Sequence, residues 1–378
     1  FRTPIHLMKE DINLGWIQCD NIIAENYYSF GYNVVNPHFS ILYHSNEQRT
    51  KIEKLIDEIK NDNSKIQFYT SGSTGVPKII LHSKIAIVAS AQKTIHYFQL
   101  KEKENAALCL PVDHVAGAMM LIRSMIAGLT LHVYPTSTKS FDSIKTSTRF
   151  IALLPMQLHH AVNSEKGIKA LKSCTHILIG GAPITAALNR KLIVEEISVY
   201  HSYGMTETIT HIALKKTGFR GVDFYKTLEG IQVSAKNEAL CIDYPEIQIE
   251  EIQTNDRVEL INRTSFRWLG RLDYIINSGG LKISPEVIEE KISKGISNPL
   301  IITGIPDPIL GQKLVLILKQ GNCIEQKITK AFLCTYLDKL EIPKAYAIID
   351  EFSWTKNNKI DRELTLINAS TRGWKELL

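Results

Sequence analysis

Residues 70–78 read TSGSTGVPK, and this stretch decides how the rest of the chain is read. Short apolar runs flank it at 65–69 (KIQFY) and 79–81 (IIL), so it is expected to be a loop between two strands. Gly72 and Gly75 let the backbone turn its N–H groups toward an anion. Thr70, Ser71, Ser73 and Thr74 add hydroxyl donors, and Lys78 adds a cation. The loop has the makings of a phosphate cradle. It is not a Walker loop, because Lys78 is not followed by Ser or Thr and stands behind Pro77, which stiffens the exit.

Downstream, strand and helix patterns alternate. Ser83 is placed to cap a helix reaching about residue 98, and a strand is expected at 106–110. His114 then sits at a strand-to-helix junction. Arg123 lies in the apolar helix that follows, where a cation must find an anion or reach water; a structural ion pair and a substrate contact both remain open. Strands at 150–153 and 175–179 come next, the second ending in Gly180, Gly181 and Ala182 before a helix beginning near Thr185, which is the geometry of a nucleotide crevice. After a strand at 197–201 comes SYGMTET: Tyr203 offers a ring for a purine, Thr206 a hydroxyl, and Glu207 a hard oxygen suited to Mg²⁺. This alternation predicts an α/β fold with a doubly wound sheet.

From 225 to 262 the pattern changes to short β-like runs, expected as a small barrel or sheet closing a large N-terminal domain. Thr254-Asn255-Asp256 reads there as a turn, and Asn255 is tolerable in it if a left-handed residue is required, since Asn enters that region more readily than most. Residues 270–290, GRLDYIINSGGLKISPEVIEE, follow, with Ser284-Pro285-Glu286 opening a helix. The remainder predicts a small α+β domain: strands near 300–304, 313–318 and 345–349, a helix at about 325–340, and a terminal SWTKNNKIDR.

In this order the motifs resemble those of the acyl-adenylate-forming superfamily of AMP-dependent synthetases and ligases, over about residues 65–362. The resemblance implies ATP, Mg²⁺ and CoA as partners of a small carboxylate. It implies that residues 70–75, Gly180, Gly181, Ala182, Tyr203, Gly204, Asp256 and Arg271 hold ATP, that Glu207 holds the metal, and that Lys78, Thr206, Glu207 and Lys359 act in catalysis. It further implies that His114 and Arg123 line the acyl pocket and that Gly279 and Gly280 meet CoA. Asp273 would be the hinge between domains 1–272 and 273–378, the second of them mobile. Leu281-Lys282 departs from the acid and amide often found after the glycine pair, and Asn358 from the Gly before the lysine. The segments HVAGAMMLIRSMIAGLTL and PMQLHHAV resemble the branch that activates o-succinylbenzoate for menaquinone synthesis. Another aryl or short acyl-CoA ligase, a free-standing adenylation domain loading a carrier protein, and a non-catalytic nucleotide-binding regulator are the alternatives.

The 378 residues suffice for two domains, and 44% hydrophobic with 22% charged content is ordinary for a globular protein. A net charge of +5 without a basic run argues against nucleic acid but suits anionic nucleotides. The six cysteines form no CxxC pair, which fits a reducing cytoplasm and no zinc site. The apolar stretch 115–133 is interrupted by Arg123, and the N-terminus has no basic-then-apolar leader, so neither a membrane span nor export is expected. The segment before the phosphate loop is shorter than the superfamily's. Sequence leaves the oligomeric state open, a homodimer included.

Overall fold

The computed structural model describes residues 35–61, 63–69, 79–137, 144, 147–296, 298–321, 328–355 and 360–377. The expected phosphate loop at 70–78, including Lys78, and Lys359 therefore lie outside the described residues.

After β1 (Ser40–Tyr43) comes α1 (Arg49–Lys60), whose Ile52, Leu55 and Ile59 recur at helical spacing and are its buried face. β2 (Lys65–Tyr69) and β3 (Ile79–Ser83) pair antiparallel as a sheet of their own, with Tyr69 opposite Ile79, so a strand does stand on each side of 70–78. The Ser83 hydroxyl accepts from the Ala86 N–H at 3.1 Å and starts α2 (Lys84–Phe98), as expected. Strand and helix then alternate: β4 (Asn105–Leu108), α3 (Val115–Ala127), β5 (Thr130–Val133), β6 (Thr148–Leu153), α4 (Pro155–Ala161), α5 (Glu165–Ser173), β7 (His176–Ile179), α6 (Ala186–Val194) and β8 (Ser198–Gly204).

The order β1-β5-β4-β6-β7-β8 is parallel throughout. Successive residues of these strands serve different cores. Ala106, Leu108, Phe150 and Ala152 pack with Ile87 and Met119 of α2 and α3, while Ala107, Ile151 and Leu153 pack with Leu158, Leu171 and Leu188 of α4, α5 and α6. Because strand side chains alternate between faces, helices must cover both sides, which is the doubly wound arrangement.

β9 (His211–Gly218) turns back antiparallel along β8. β10 (Tyr225–Thr227), β11 (Gln232–Lys236), β12 (Ala239–Tyr244), β13 (Ile249–Asn262) and β14 (Ser265–Arg271) extend the same sheet to twelve strands, in the order β9-β10-β14-β13-β12-β11. The β-rich part is thus a sheet hydrogen-bonded onto the main one. One expectation is corrected here: Thr254-Asn255-Asp256 is no turn and Asn255 is not left-handed. The segment lies inside β13 at a bulge: Ala239 of β12 pairs with Arg257 and Cys241 with Gln253, so residues 254–256 stand opposite Leu240 alone, while Asp256 pairs with Arg271 of β14.

A second, six-stranded sheet follows. β15 (Ile276–Ser278) and β16 (Leu281–Ile283) form a hairpin over Gly279 and Gly280, at φ +57° and +83°, a two-residue turn that needs glycine-like freedom. Next come α7 (Pro285–Ser293), β17 (Leu300–Asp307), β18 (Gly311–Lys319), α8 (Lys330–Leu333), β19 (Ala345–Ile349), α9 (Arg362–Arg372) and β20 (Lys375–Glu376). Their core is separate, built on Ile276, Ile288, Ile292, Leu314, Leu316 and Leu333.

The helix expected at 325–340 is corrected: among the described residues only α8 forms. Beyond it the N–H groups of Tyr336 and Leu337 converge on the Leu333 carbonyl and the Thr335 hydroxyl takes that of Phe332, so the helix tightens into turns. α9 went unforeseen, although Asp361, which accepts from the Leu364 N–H at 3.0 Å, is a legible cap. No helix among the described residues is long and apolar enough to cross a membrane.

Candidate active site

β4 leads outward to β5 and β6 leads the other way to β7, so the carboxyl ends of β4 and β6 are the switch point at which sheets of this kind hold their ligands. Gln157 spans it: its Nε2 donates to the Cys109 carbonyl at 2.9 Å and its Oε1 accepts from the Leu154 N–H at 3.0 Å. Beside it runs the Gly180-Gly181-Ala182 turn. The Gly180 N–H donates to the Leu153 carbonyl at 3.1 Å, and any Cβ at Gly180 would stand 2.7 Å from the Ser202 hydroxyl.

One strand over, β8 delivers Tyr203, whose hydroxyl donates to Asp256 Oδ2 at 2.6 Å while Trp268 Nε1 donates to Oδ1 at 3.0 Å. Burial and the Asp256 charge raise the Tyr203 phenol far above its ordinary range, so it stays protonated and donates. The ring packs edge-on against Phe266 at 5.2 Å. Tyr203 and Asp256, expected as purine and ribose contacts, are therefore one hydrogen-bonded unit. Trp268 belongs to it and carried no signal in the sequence.

At Gly204 a Cβ would fall 2.3 Å from the Thr210 carbonyl, so only glycine lets the chain fold back here. Residues Thr206–Thr208 make one 3₁₀ turn, braced by the Thr208 hydroxyl, which accepts from the Met205 N–H at 3.1 Å and donates to the Thr210 carbonyl at 2.8 Å. Ile209 then sits at φ +66°, a strained position for a β-branched residue. The Glu207 carboxylate is exposed and no hydrogen bond or ion pair among the described residues engages it. That suits Mg²⁺, which prefers one or two carboxylates plus phosphate oxygens and water to an all-protein cage. His82 Nε2 lies 2.6 Å from the Thr206 carbonyl, so β3, leaving residues 70–78, lands on this turn.

Arg123 of α3 is 1% exposed. Its Nη2 donates to the Thr210 hydroxyl at 3.0 Å, while its buried Nε has no partner among the described residues. Burial pushes the guanidinium down to about 9, with Tyr244 acting against that, so it is a cation at neutral pH. Burial and this cation hold His211, which lies 3.3 Å from Thr210 Oγ1, well below its usual range and neutral. No carboxylate among the described residues pairs with Arg123, so the structural ion pair is not found. His114 occupies the N-cap of the same helix and is exposed. At 100° and 1.5 Å per residue the two are about half a turn round and about 13 Å apart, so α3 does not bring them together.

At the expected hinge, Asp273 accepts from Arg271 Nη2 at 2.5 Å and from Asn255 Nδ2 at 3.2 Å. The Arg271 N–H donates to Glu286 Oε1 at 3.3 Å. Ser284 stands at the N-cap of α7, but its hydroxyl accepts from Arg257 Nη1 at 3.0 Å instead of capping the helix. The Gly279-Gly280 tip is exposed.

A family model described as AMP-binding enzyme matches residues 34–234. The 2-succinylbenzoate–CoA ligase of Haemophilus influenzae is 27% identical over 72% of this chain, and the chain spans 63% of that relative's length. A probable 2-succinylbenzoate–CoA ligase of Mycobacterium tuberculosis is 26% identical over 83% of this chain and 88% of its own. Among solved structures, an acyl-CoA synthetase (AMP-forming)/AMP-acid ligase II-like protein from Dyadobacter fermentans is 32% identical, covers 84% of this chain and 92% of its own, and has a TM-score of 0.55. The o-succinylbenzoate CoA synthetase of Bacillus subtilis, in complex with its acyl-adenylate intermediate, has a TM-score of 0.66 at 20% identity, covers 86% of this chain and 77% of its own, and shows the shared fold.

Proposed function

Since the chain belongs to the AMP-binding enzyme family, we propose that it is an ATP-dependent carboxylate–CoA ligase working through an acyl-adenylate, with 2-succinylbenzoate as its acid. The observation that carries the choice of acid is Arg123: a buried cation with no carboxylate partner among the described residues, bonded to the turn that follows Glu207. 2-Succinylbenzoate has two carboxylates, one that reacts and one that stays ionised inside the pocket. Burying the second unpaired is unfavourable, and a guanidinium with an open N–H offsets it directly or through a water. The names of the relatives support the same acid.

In this reading residues 70–75 and Lys78 hold the phosphates. Gly180, Gly181, Ala182, Tyr203 and Gly204 hold the adenine, and Asp256 and Arg271 the ribose. The reacting carboxylate attacks the α-phosphorus and pyrophosphate leaves; no base is needed, because the acid is already ionised. Mg²⁺ bound at Glu207 would neutralise phosphate charge. Thr206 and Lys359 stabilise the charge that develops. The CoA thiolate then attacks the acyl carbonyl and AMP leaves, with residues 273–378 turning about Asp273 to exchange Lys359 for Gly279 and Gly280. His114 stands at the outer end of the acyl pocket.

The test is ATP–pyrophosphate exchange over a panel of aryl and alkyl acids, followed by addition of CoA. Exchange that requires 2-succinylbenzoate, and AMP release with thioester on adding CoA, is the expected result. No exchange with any acid would overturn adenylation. Exchange without thioester, but with loading of a carrier protein, would overturn the CoA step.

A further inference from the structure

The turn assigned above to adenine is not held by its own backbone alone. Two consecutive residues of β8 reach across to it. The Ser202 hydroxyl donates to the Ile179 carbonyl at 2.9 Å, and His201 Nε2 lies 3.1 Å from the Ala182 carbonyl. A carbonyl only accepts, so Nε2 carries the ring proton. Nδ1 is then an acceptor, and the Tyr225 hydroxyl, 2.9 Å away, must donate to it. Tyr225 is fixed in its turn by stacking on Phe266 at 5.5 Å, by an edge contact with Tyr203 at 5.8 Å, and by the Lys215 ammonium 4.9 Å from its ring centroid.

We infer that His201 is a positioning residue for the nucleotide: with Tyr225 behind it, it holds the Ala182 carbonyl, and so the Gly180–Ala182 turn, at a fixed distance from Tyr203. The inference rests on the reading of that turn as the adenine site. The two residues on either side of the base would thus share one rigid support, since Tyr225 touches both His201 and Tyr203. Burial, followed by the Lys215 charge, pushes the His201 ring down to about 4, so the clamp does not titrate at neutral pH.

The experiment measures ATP binding by calorimetry with a non-hydrolysable ATP analogue, and steady-state kinetics in ATP, acid and CoA. His201→Ala is expected to raise Kd and the KM for ATP about tenfold, the worth of one buried hydrogen bond, with the KM values for acid and CoA unmoved. His201→Gln, whose amide N–H can reach the same carbonyl, should recover most of that loss, and Tyr225→Phe should show a smaller rise of about threefold. Unchanged ATP affinity in folded His201→Ala or, if that variant does not fold, in Tyr225→Phe would overturn the inference. So would a loss spread equally over all three substrates in step with a lower Tm, because a merely structural residue behaves that way. If the wild type binds no analogue at all, the adenine reading itself fails; if it binds and the variants match it, only the clamp fails.

Discussion

Arg123 is buried and Arg362 largely so, one guanidinium in each half of the molecule, and they are treated in opposite ways. Arg362, at the start of α9, makes a bidentate pair with Glu289 of α7 at 2.7 and 2.8 Å, donates to the Ile302 carbonyl at 3.0 Å, and lies 5.0 Å from the centroid of the Tyr274 ring. Burial alone pulls it down, but the charge and hydrogen bonds of Glu289 lift it above its ordinary value. Among the described residues Arg123 has one neutral hydroxyl acceptor and an Nε without a partner, and its value is lowered by burial. A cation fully satisfied by its own chain holds structure together. One left with open donors in a dry place has room for an anion from outside, and the recognition role proposed for Arg123 rests on that difference more than on burial itself.

The largest effect should come from breaking the satisfied side. Arg362→Met strands the Glu289 carboxylate and is expected to lower stability by about 3–5 kcal/mol in chemical denaturation, with Glu289→Leu added on top restoring much of it. A loss below about 1 kcal/mol would reduce the pair to an ordinary surface contact and remove the contrast.

His201 sharpens the comparison as a buried group that sheds its charge. Its folded value of about 4 lies below the unfolded 6.5, so between those limits the unfolded chain binds a proton that the folded one does not. Stability is then full above about pH 6.5 and falls as the pH drops toward 4. His201→Gln should be more acid-resistant than the wild type by about 2–3 kcal/mol at pH 4, with no such difference at pH 8. Parallel acid curves would mean that His201 is charged in the fold. The smallest effect is expected at Arg123→Met, a change in stability of about 0–1 kcal/mol and of either sign, because removing this cation frees the Thr210 hydroxyl but strands no carboxylate among the described residues. A loss near that of Arg362→Met would make Arg123 structural after all.

Much of this was legible in the sequence. Ser83, the Gly180-Gly181 pair and the SYGMTET stretch fixed strand ends and helix starts, because caps and glycine turns are local physics. Arg123 was visible as a lone cation in an apolar helix. Its partner Thr210 was not, since the contact joins residues 87 positions apart. The Tyr203–Asp256 bond likewise depends on the sheet order β8-β9-β10-β14-β13, which no short-range pattern specifies. Thr254-Asn255-Asp256 was misread because its composition is turn-like, whereas it is a bulge inside a fourteen-residue strand, set by the neighbouring strands and not by local sequence. Trp268 was missed because an indole in a strand is usually only packing; here its N–H fixes a carboxylate.

The most direct test compares kcat/KM for 2-succinylbenzoate with that for a monoacid lacking the remote carboxylate, in the wild type and in Arg123→Ala. A charge-assisted hydrogen bond is worth roughly 1.5–3 kcal/mol, so the variant should lose about one to two decades on the diacid and almost nothing on the monoacid. An equal loss on both acids from a folded protein would contradict the role of Arg123, and with it the assignment of 2-succinylbenzoate.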